Sequence, residues 1–354
     1  MRVVALFLVG AVAILCLLEA TLRMLPGPTA TRTGYYFDPV ILTYPPNHEW
    51  QSASGWDLRN SRRMKSNNYG FATSRQFTKD PTAVALIGDS FVEASSLRED
   101  EGLGPQLERH LEGRPVYSMG VPGSSLLDYA ERVRFAAERF AIRDFVVILE
   151  RGDVRQSLCG DANVAAACID RTTFQPRIEK QAPPTRAKDL LRESVAAQYL
   201  LGQLRLDPRR LLDAILASAG PASGKNSADG LAINKVTLNP QVYVEPVFDL
   251  FVQRVSKQAS GRLILVLDAD RRAIYRNMED GEPMPDDPDR VLLLKLAHER
   301  GIDIIDLEPI FASHAAKSKL KLEVSPTDGH WNSVALSLIS SAIADRLRKR
   351  EQTR

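Results

Sequence analysis

The sequence predicts an α/β protein, folded as a three-layer α/β/α sandwich around a mostly parallel five-stranded sheet. Short, continuously apolar segments are typical of strands buried on both faces of a parallel sheet. Residues 145–149 are such a segment, and residues 83–87, 115–119, 263–267 and 302–306 are four further predicted short strands. Segments with helical spacing of apolar residues alternate with these strands, at residues 102–111, 126–140, 291–298 and 331–348. This alternation predicts right-handed crossovers between parallel strands.

The strand–helix alternation breaks off between about residues 155 and 255. Residues 190–204 and 209–217 are amphipathic there, and residues 220–230 are rich in glycine and serine. We interpret this region as a helical insertion over the sheet's edge, within a domain that spans residues 82–350. Residues 26–81, rich in Pro, Asn, Ser and Tyr, are predicted to be an extended segment that wraps the domain.

The N-terminus carries a long apolar run, in which Glu19 is the only charged residue between Arg2 and Arg23. The run reaches the roughly 20 residues that a helix needs to cross a bilayer. A cleaved signal peptide is the competing interpretation, but no typical small-residue cleavage site follows the run. The sequence favours an uncleaved signal anchor at residues 1–25, a single pass through the inner membrane with the rest of the chain on the periplasmic side.

Composition and charge bear on the class of partner. The chain of 354 residues has a formal net charge of +2, and no basic cluster is interleaved with aromatic residues. Nucleic acid is therefore not an expected ligand. The sequence indicates no metal, no organic cofactor and no particular protein partner.

Two cysteines outside the apolar run bear on the compartment. Cys159 and Cys168 bracket a short loop of small residues, which suits a disulfide in an oxidising environment. A pair of separate buried thiols is the alternative, and a metal site is less favoured because no histidine or third cysteine lies nearby.

The carboxyl ends of the predicted strands carry the chemically informative residues, since ligands of open parallel sheets bind there. Ser90 follows the first strand in Gly-Asp-Ser, Gly120 ends the second, and Glu150-Arg-Gly-Asp follows the third. The loop before the last helix contains Asp328-Gly-His330. A serine becomes a nucleophile when an imidazole accepts its proton, and that imidazole needs a carboxylate on its other nitrogen. Among the five histidines only His330 has an aspartate so placed at a predicted sheet end.

These segments together resemble the SGNH (GDSL-type) hydrolases, in a bacterial subgroup with an N-terminal membrane anchor. LIGDSFVE resembles the first family block, VYSMGVPGSS the second, and DGHWNSVALSL the last; NNYGF resembles a segment that precedes the first strand in anchored members. The resemblance implies a flavodoxin-like sheet, with Ser90 as nucleophile, His330 as base and Asp328 as its orienting carboxylate. It also implies that the backbone N–H groups of Ser90 and Gly120 contribute to an oxyanion hole.

The sequence departs from the family at two places. The third block usually reads Gly-x-Asn-Asp, with the asparagine completing the oxyanion hole, whereas Gly152 stands at that position here. Arg151 or a residue of the insertion is a candidate replacement, and an ion pair of Arg151 with Glu150 or Asp153 is the alternative. The Asp-x-His spacing is also shorter than the Asp-x-x-His of many esterases.

The sequence thus predicts a membrane-anchored, serine-dependent ester hydrolase that acts on small acyl esters, with acetyl groups of envelope or extracellular glycans as the expected substrate. A polysaccharide O-acetyltransferase would use the same three residues, with a sugar hydroxyl in place of water. A catalytically degenerate glycan-binding or assembly protein is the third hypothesis, supported by the missing asparagine.

Overall fold

The structure, a computed structural model, describes residues 2–54, 56–161, 167–204, 206, 239–258 and 261–351. The strands are β1 (Glu49–Ser54), β2 (Arg59–Lys65), β3 (Val84–Gly88), β4 (Val116–Gly120), β5 (Asp144–Leu149), β6 (Ala167–Ile169), β7 (Pro176–Ile178), β8 (Arg262–Leu267), β9 (Asp303–Asp306), β10 (Glu323–Ser325) and β11 (Asp328–Trp331). The α-helices are α1 (Arg2–Met24), α2 (Ser90–Glu93), α3 (Leu103–His110), α4 (Leu126–Phe140), α5 (Asp153–Gln156), α6 (Arg186–Glu193), α7 (Val195–Ala197), α8 (Pro240–Gln258), α9 (Arg271–Asp280), α10 (Pro288–Glu299), α11 (Glu308–Ala315) and α12 (Ser333–Glu351).

Five parallel strands form the central sheet in the order β4-β3-β5-β8-β9. This confirms the predicted α/β class and the five-stranded sheet. Alternate residues of each strand face opposite sides, so every strand contributes to two apolar layers. Val84 and Leu86 of β3, for example, join the layer formed with α3, α9, α11 and α12. Helices α4, α8 and α10 pack on one another and bury aromatic residues such as Phe140 and Phe248 on the other side.

The last helix begins at Ser333, two residues later than the predicted start at Trp331. Residues 328–331 instead form β11, which pairs antiparallel with β10. Asn332 caps the helix, because its Oδ1 atom accepts hydrogen bonds from the backbone N–H groups of Val334 and Ala335, both at 3.0 Å. The Asp-Gly-His segment, predicted as a loop, is therefore a short strand held by a hairpin.

The region predicted as a helical insertion contains several kinds of element. A small antiparallel pair, β6 and β7, follows α5, and α8 packs against α4 and α10. The described residues 183–204 belong to a different compact unit from the one that contains the sheet. The predicted amphipathic stretch 209–217 and the loop 220–230 lie outside the described residues.

By its contacts the chain divides into two compact units. The larger one comprises Arg32–Glu49, Met64–Ala182 and Asn239–Arg354, and it contains the sheet and every residue predicted to be catalytic. The smaller one comprises Met1–Thr31, Trp50–Arg63 and Pro183–Leu238. Within the smaller unit, α1 is the single helix of the described residues that is long and apolar enough to cross a membrane, and a signal sequence would meet the same criterion.

Candidate active site

Ser90 lies at the carboxyl end of a central strand of the sheet. β3 ends at Gly88, and Ser90 is the first residue of α2. Asp89 caps this helix, since its Oδ1 atom accepts a hydrogen bond of 2.9 Å from the Phe91 N–H group. Gly-Asp-Ser is thus a strand-to-helix turn that leaves the serine half-buried at the sheet edge.

His330 links Ser90 to Asp328. The Nε2 atom of His330 lies 2.9 Å from Oγ of Ser90, and its Nδ1 atom lies 2.6 Å from Oδ1 of Asp328. Both distances are in the hydrogen-bonding range. The sequence separates Ser90 from His330 by 240 positions, and the fold brings them into direct contact. The three residues predicted to act together therefore form one continuous chain of hydrogen bonds.

Two further contacts hold the Asp328 carboxylate. Ser96 donates its hydroxyl hydrogen to Oδ2 at 2.7 Å, and the backbone N–H of His330 donates to Oδ1 at 3.1 Å. The hydrogen bond with His330, assisted by these donors, lowers the pKa of Asp328 well below its usual range. The same hydrogen bond raises the pKa of His330, although burial opposes the increase. Asp328 thus stabilises the protonated imidazole.

Arg271, a buried residue at the start of α9, anchors the loop that carries His330. Its Nη2 atom donates to the Gly329 carbonyl at 2.6 Å, and its Nη1 and Nε atoms donate to Asp268 and Glu323. Asp268 also accepts a hydrogen bond of 3.1 Å from the Trp331 indole. The backbone on both sides of His330 is therefore fixed by one arginine–carboxylate network.

Gly120 is required by close packing at the end of β4. A Cβ atom there would lie 2.4 Å from the Glu93 backbone nitrogen and 2.9 Å from the Asp89 carbonyl oxygen, which is closer than real Cβ atoms come. The buried guanidinium of Arg132 donates to the carbonyls of Gly88 and Met119, at 2.6 and 3.2 Å. These contacts hold α2, and Ser90 with it, against the ends of β3 and β4.

Arg151 is occupied by ion pairs, although not with the partners considered from the sequence. Its guanidinium contacts Asp270 at 2.8 Å and Asp287 at 2.9 Å. These two aspartates cap α9 and α10. The neighbouring Gly152 donates its N–H to Oε2 of Glu150 at 2.6 Å.

Three carboxyl groups lie near the turn at Ser90, of which Asp153 is buried and Asp89 and Glu93 are half-buried by their accessible surface. Burial raises the pKa of Asp89 to about 6 and that of Glu93 to about 7, and it raises the pKa of Asp153 well above its ordinary value. Glu93 accepts a hydrogen bond of 2.6 Å from the hydroxyl of Tyr44. The negative charges of Asp89 and Glu93 contribute to the raised pKa of His330.

Cys159 and Cys168 are joined by a disulfide in the structure. Cys168 lies on β6, and the backbone N–H of Cys159 donates to the Ile169 carbonyl at 2.9 Å. The bond therefore fastens the chain that leaves α5 to this small strand pair.

Sequence reasoning missed Ser96, Arg271, Arg132 and Tyr44. Ser96 and Tyr44 lie in segments without a recognisable motif, and their contacts depend on loop paths. Arg271 could have been found from its position, because it lies shortly after the end of β8, and ligands of parallel sheets bind at the carboxyl ends of the strands.

No protein-family model matches the chain, and no curated protein matches it. The chain is similar to several solved structures. They include a lipolytic protein of the G-D-S-L family from Veillonella parvula, at 12% identity over 76% of this chain and 98% of that chain, with a TM-score of 0.39. A carbohydrate acetylesterase from Sinorhizobium meliloti is 11% identical over 75% of this chain and 98% of that chain, with a TM-score of 0.37. An acetyl xylan esterase, AlAXEase, is 14% identical with the same coverage and a TM-score of 0.40.

Similarities at these identities and TM-scores carry no conclusion about the activity of this chain. Its own fold and geometry define the class to which the site belongs. The chain folds as an α/β sandwich, and a serine, a histidine and an aspartate are hydrogen-bonded to one another at the carboxyl edge of its parallel sheet.

Proposed function

We propose that the chain is a serine-dependent ester hydrolase of the SGNH type that acts on small acyl esters. One observation carries the proposal, namely the unbroken chain of contacts from Oγ of Ser90 through His330 to Asp328, at 2.9 and 2.6 Å. This arrangement supports nucleophilic acyl transfer, because each member is placed to perform the step that the chemistry requires of it.

The proposed reaction has two halves. Ser90 attacks the ester carbonyl while Nε2 of His330 accepts the hydroxyl proton, and the tetrahedral intermediate collapses as His330 returns that proton to the departing alcohol. Ser90 then carries the acyl group. In the second half His330 deprotonates a water molecule, which attacks the acyl carbonyl, and the proton passes back to Ser90 as the acid leaves.

Acetyl esters of envelope or extracellular glycans are the proposed substrates. A polysaccharide O-acetyltransferase remains the second candidate function, since a sugar hydroxyl could replace water in the second half-reaction with the same residues. The glycine at position 152 supports the third candidate, a glycan-binding or assembly protein without turnover.

The direct test uses the full-length protein in detergent with p-nitrophenyl acetate. We expect release of p-nitrophenol by the wild type and loss of that release in Ser90→Ala. Equal activity of the two proteins would refute the serine mechanism. Incubation with an acetylated glycan and a free-hydroxyl acceptor then distinguishes the candidates. Free acetate in solution indicates a hydrolase, and an acetyl group on the acceptor indicates a transferase.

We further propose that α1 is retained as a membrane anchor, with the sheet-containing unit outside the cytoplasm. The support is a set of hydrogen bonds in the smaller unit. The Glu19 carboxylate accepts from the Ser194 hydroxyl and from the backbone N–H groups of Val195 and Ala196, at 2.8, 3.2 and 2.8 Å. Removal of α1 would leave those donors at the start of α7 without this partner. Intact-mass analysis of protein extracted from membranes tests this, and a mature N-terminus after residue 25 would contradict it.

A further inference from the structure

The loop after β5 places a glutamine side chain beside Gly152. Gln156 lies one helical turn further on, and its backbone N–H donates to the Gly152 carbonyl at 2.8 Å. A Cβ atom built on Gly152 would lie 2.7 Å from Nε2 of Gln156. The carboxamide of Gln156 therefore occupies the space that a side chain at position 152 would need.

The backbone at position 152 does not itself require glycine. Its φ and ψ are −89° and −14°, in the right-handed helical region that any residue adopts. The other close neighbour of the added Cβ is Oε2 of Glu150 at 2.9 Å, also the end of a flexible side chain. Glycine at position 152 therefore makes room for the Gln156 amide, and the backbone of the turn does not require it.

The amide nitrogen of Gln156 lies about as far from the Cβ position of residue 152 as the amide nitrogen of an asparagine there would. Within an asparagine, the amide nitrogen is about 2.4 Å from Cβ by ordinary bond lengths and angles. Nε2 of Gln156 is 2.7 Å from the same point. The two donors therefore lie at a similar distance from the Cβ position, and they have the same chemistry.

The other candidate donors of this loop are already engaged. The single hydrogen of the Gly152 N–H points to Glu150, and the Arg151 guanidinium is paired with Asp270 and Asp287. Within the described ranges, the Gln156 carboxamide makes no hydrogen bond to protein. It is thus a neutral donor that a substrate can use without breaking an internal contact.

The loop lies next to the turn that carries Ser90. β3 and β5 are adjacent parallel strands, with Ile87 opposite Val147. Ser90 follows Ile87 by three residues, and Glu150 follows Val147 by three residues. Neighbouring strands are about 4.8 Å apart. Because β3 lies between β4 and β5, the loop that carries Gly152 and Gln156 follows the strand on one side of Ser90, and Gly120 ends the strand on the other side.

We propose that Gln156 supplies the side-chain oxyanion donor of this site, in place of the asparagine that position 152 lacks. The inference rests on the proposed hydrolase function. Its Nε2–H would donate to the tetrahedral intermediate on Ser90, together with the backbone N–H groups of Ser90 and Gly120. Loss of one such donor typically lowers kcat by about 10²–10³-fold.

The test is a set of variants assayed with p-nitrophenyl acetate on the full-length protein. Gln156→Ala should lower kcat by about 10²–10³-fold with a much smaller change in KM, because the donor acts on the transition state. Gln156→Glu has nearly the same volume and should lower kcat by as much, since it replaces a hydrogen-bond donor with an acceptor. Gly152→Asn combined with Gln156→Ala should recover part of the lost rate, because it moves the amide back to position 152.

Arg155→Gln is the matched control on the same short helix. Arg155 is half-buried and lies 3.9 Å from Asp161, and its replacement leaves the Gln156 amide in place, so kcat should stay within about threefold, which corresponds to roughly 0.5 kcal/mol. Wild-type kcat in both Gln156→Ala and Gln156→Glu, with Ser90→Ala inactive, would overturn the inference and leave the hydrolase proposal intact. If Ser90→Ala were as active as the wild type, the hydrolase proposal would fail and this inference with it. If Gln156→Ala does not fold, the kcat of Gln156→Glu and of the double variant tests the inference, with loss of kcat in the first and partial recovery in the second as the expected results.

Discussion

Ser96 donates its hydroxyl hydrogen to the carboxylate oxygen of Asp328 that does not contact His330, at 2.7 Å. It therefore fixes the plane of the carboxylate from the side opposite the imidazole. The contact joins the loop after α2 to β11, so the two halves of the Ser90–His330–Asp328 arrangement are tied together at the aspartate as well as at the serine.

Ser96→Ala should lower kcat/KM by roughly tenfold, because a hydrogen bond to a charged group contributes about 1.5 kcal/mol at its lower bound. Steady-state kinetics with p-nitrophenyl acetate measure this. The neighbouring Ser95→Ala is the control, since it removes the same atom one residue away without touching Asp328, and it should behave as wild type. Equal rates for Ser96→Ala and Ser95→Ala would show that the contact has no role in turnover.

The pH profile should reflect the environment of His330. The reaction needs neutral His330 as base, so kcat/KM should increase with pH as His330 loses its proton. Because the pKa of His330 is raised, the midpoint of this acid limb should lie above about 6.5, the pKa of an unperturbed histidine. Glu93→Gln removes one of the negative charges that stabilise the imidazolium. The limb should therefore move to lower pH in this variant. Glu112→Gln, which changes an exposed carboxylate, should leave the limb where it is.

Stability should respond to the same substitution. The pKa of Glu93 is about 7 in the folded protein and about 4.3 in an unfolded chain, so the folded state binds the extra proton between these values. The free energy of unfolding should consequently fall as the pH rises from about 4 to 7, by roughly 1.4 kcal/mol for each unit of the shift. Glu93→Gln keeps an acceptor for Tyr44 and should flatten this dependence. Denaturant unfolding at pH 5 and 8 measures it, and an unchanged difference between the two pH values would contradict a Glu93 that keeps its proton up to about pH 7 in the folded protein.

Arg271 should act as a positioning residue through the Gly329 carbonyl. Arg271→Lys keeps a positive charge beside Asp268 but cannot reach Asp268, Glu323 and Gly329 together, since lysine lacks the planar fork. We expect kcat to fall by about tenfold or more with KM nearly unchanged, because the loop with His330 is less well placed. The exposed Arg272→Lys is the control. A purely structural role would lower the melting temperature and leave the kcat of the folded fraction at the wild-type value.

The sheet and the contact of Ser90 and Asp328 with His330 could be predicted from the sequence because both depend on local patterns. Short, mainly apolar segments that alternate with helical patterns predicted the strands, and Ser90 and His330 lie in short segments with a recognisable order. The supporting contacts could not be predicted, since Ser96, Tyr44 and Gln156 reach their neighbours through loop paths and rotamers. The start of the last helix was placed too early at Trp331, because Asn332 is the cap and Trp331 still pairs with Glu323 as the last residue of β11.

The disulfide should stabilise the segment that carries Gln156. Cys159 follows Gln156 by three residues, and its bond to Cys168 closes a loop with a sequence separation of 9. The chain-entropy relation for a loop of this size gives about 2–3 kcal/mol. The double variant Cys159→Ser/Cys168→Ser should lose about that much unfolding free energy and some kcat, whereas Cys16→Ser, which removes the thiol in α1, should lose neither. Non-reducing peptide mapping of protein from membranes should find the two cysteines joined. Free thiols at both positions, together with unchanged stability of the double variant, would show that the bond does not form.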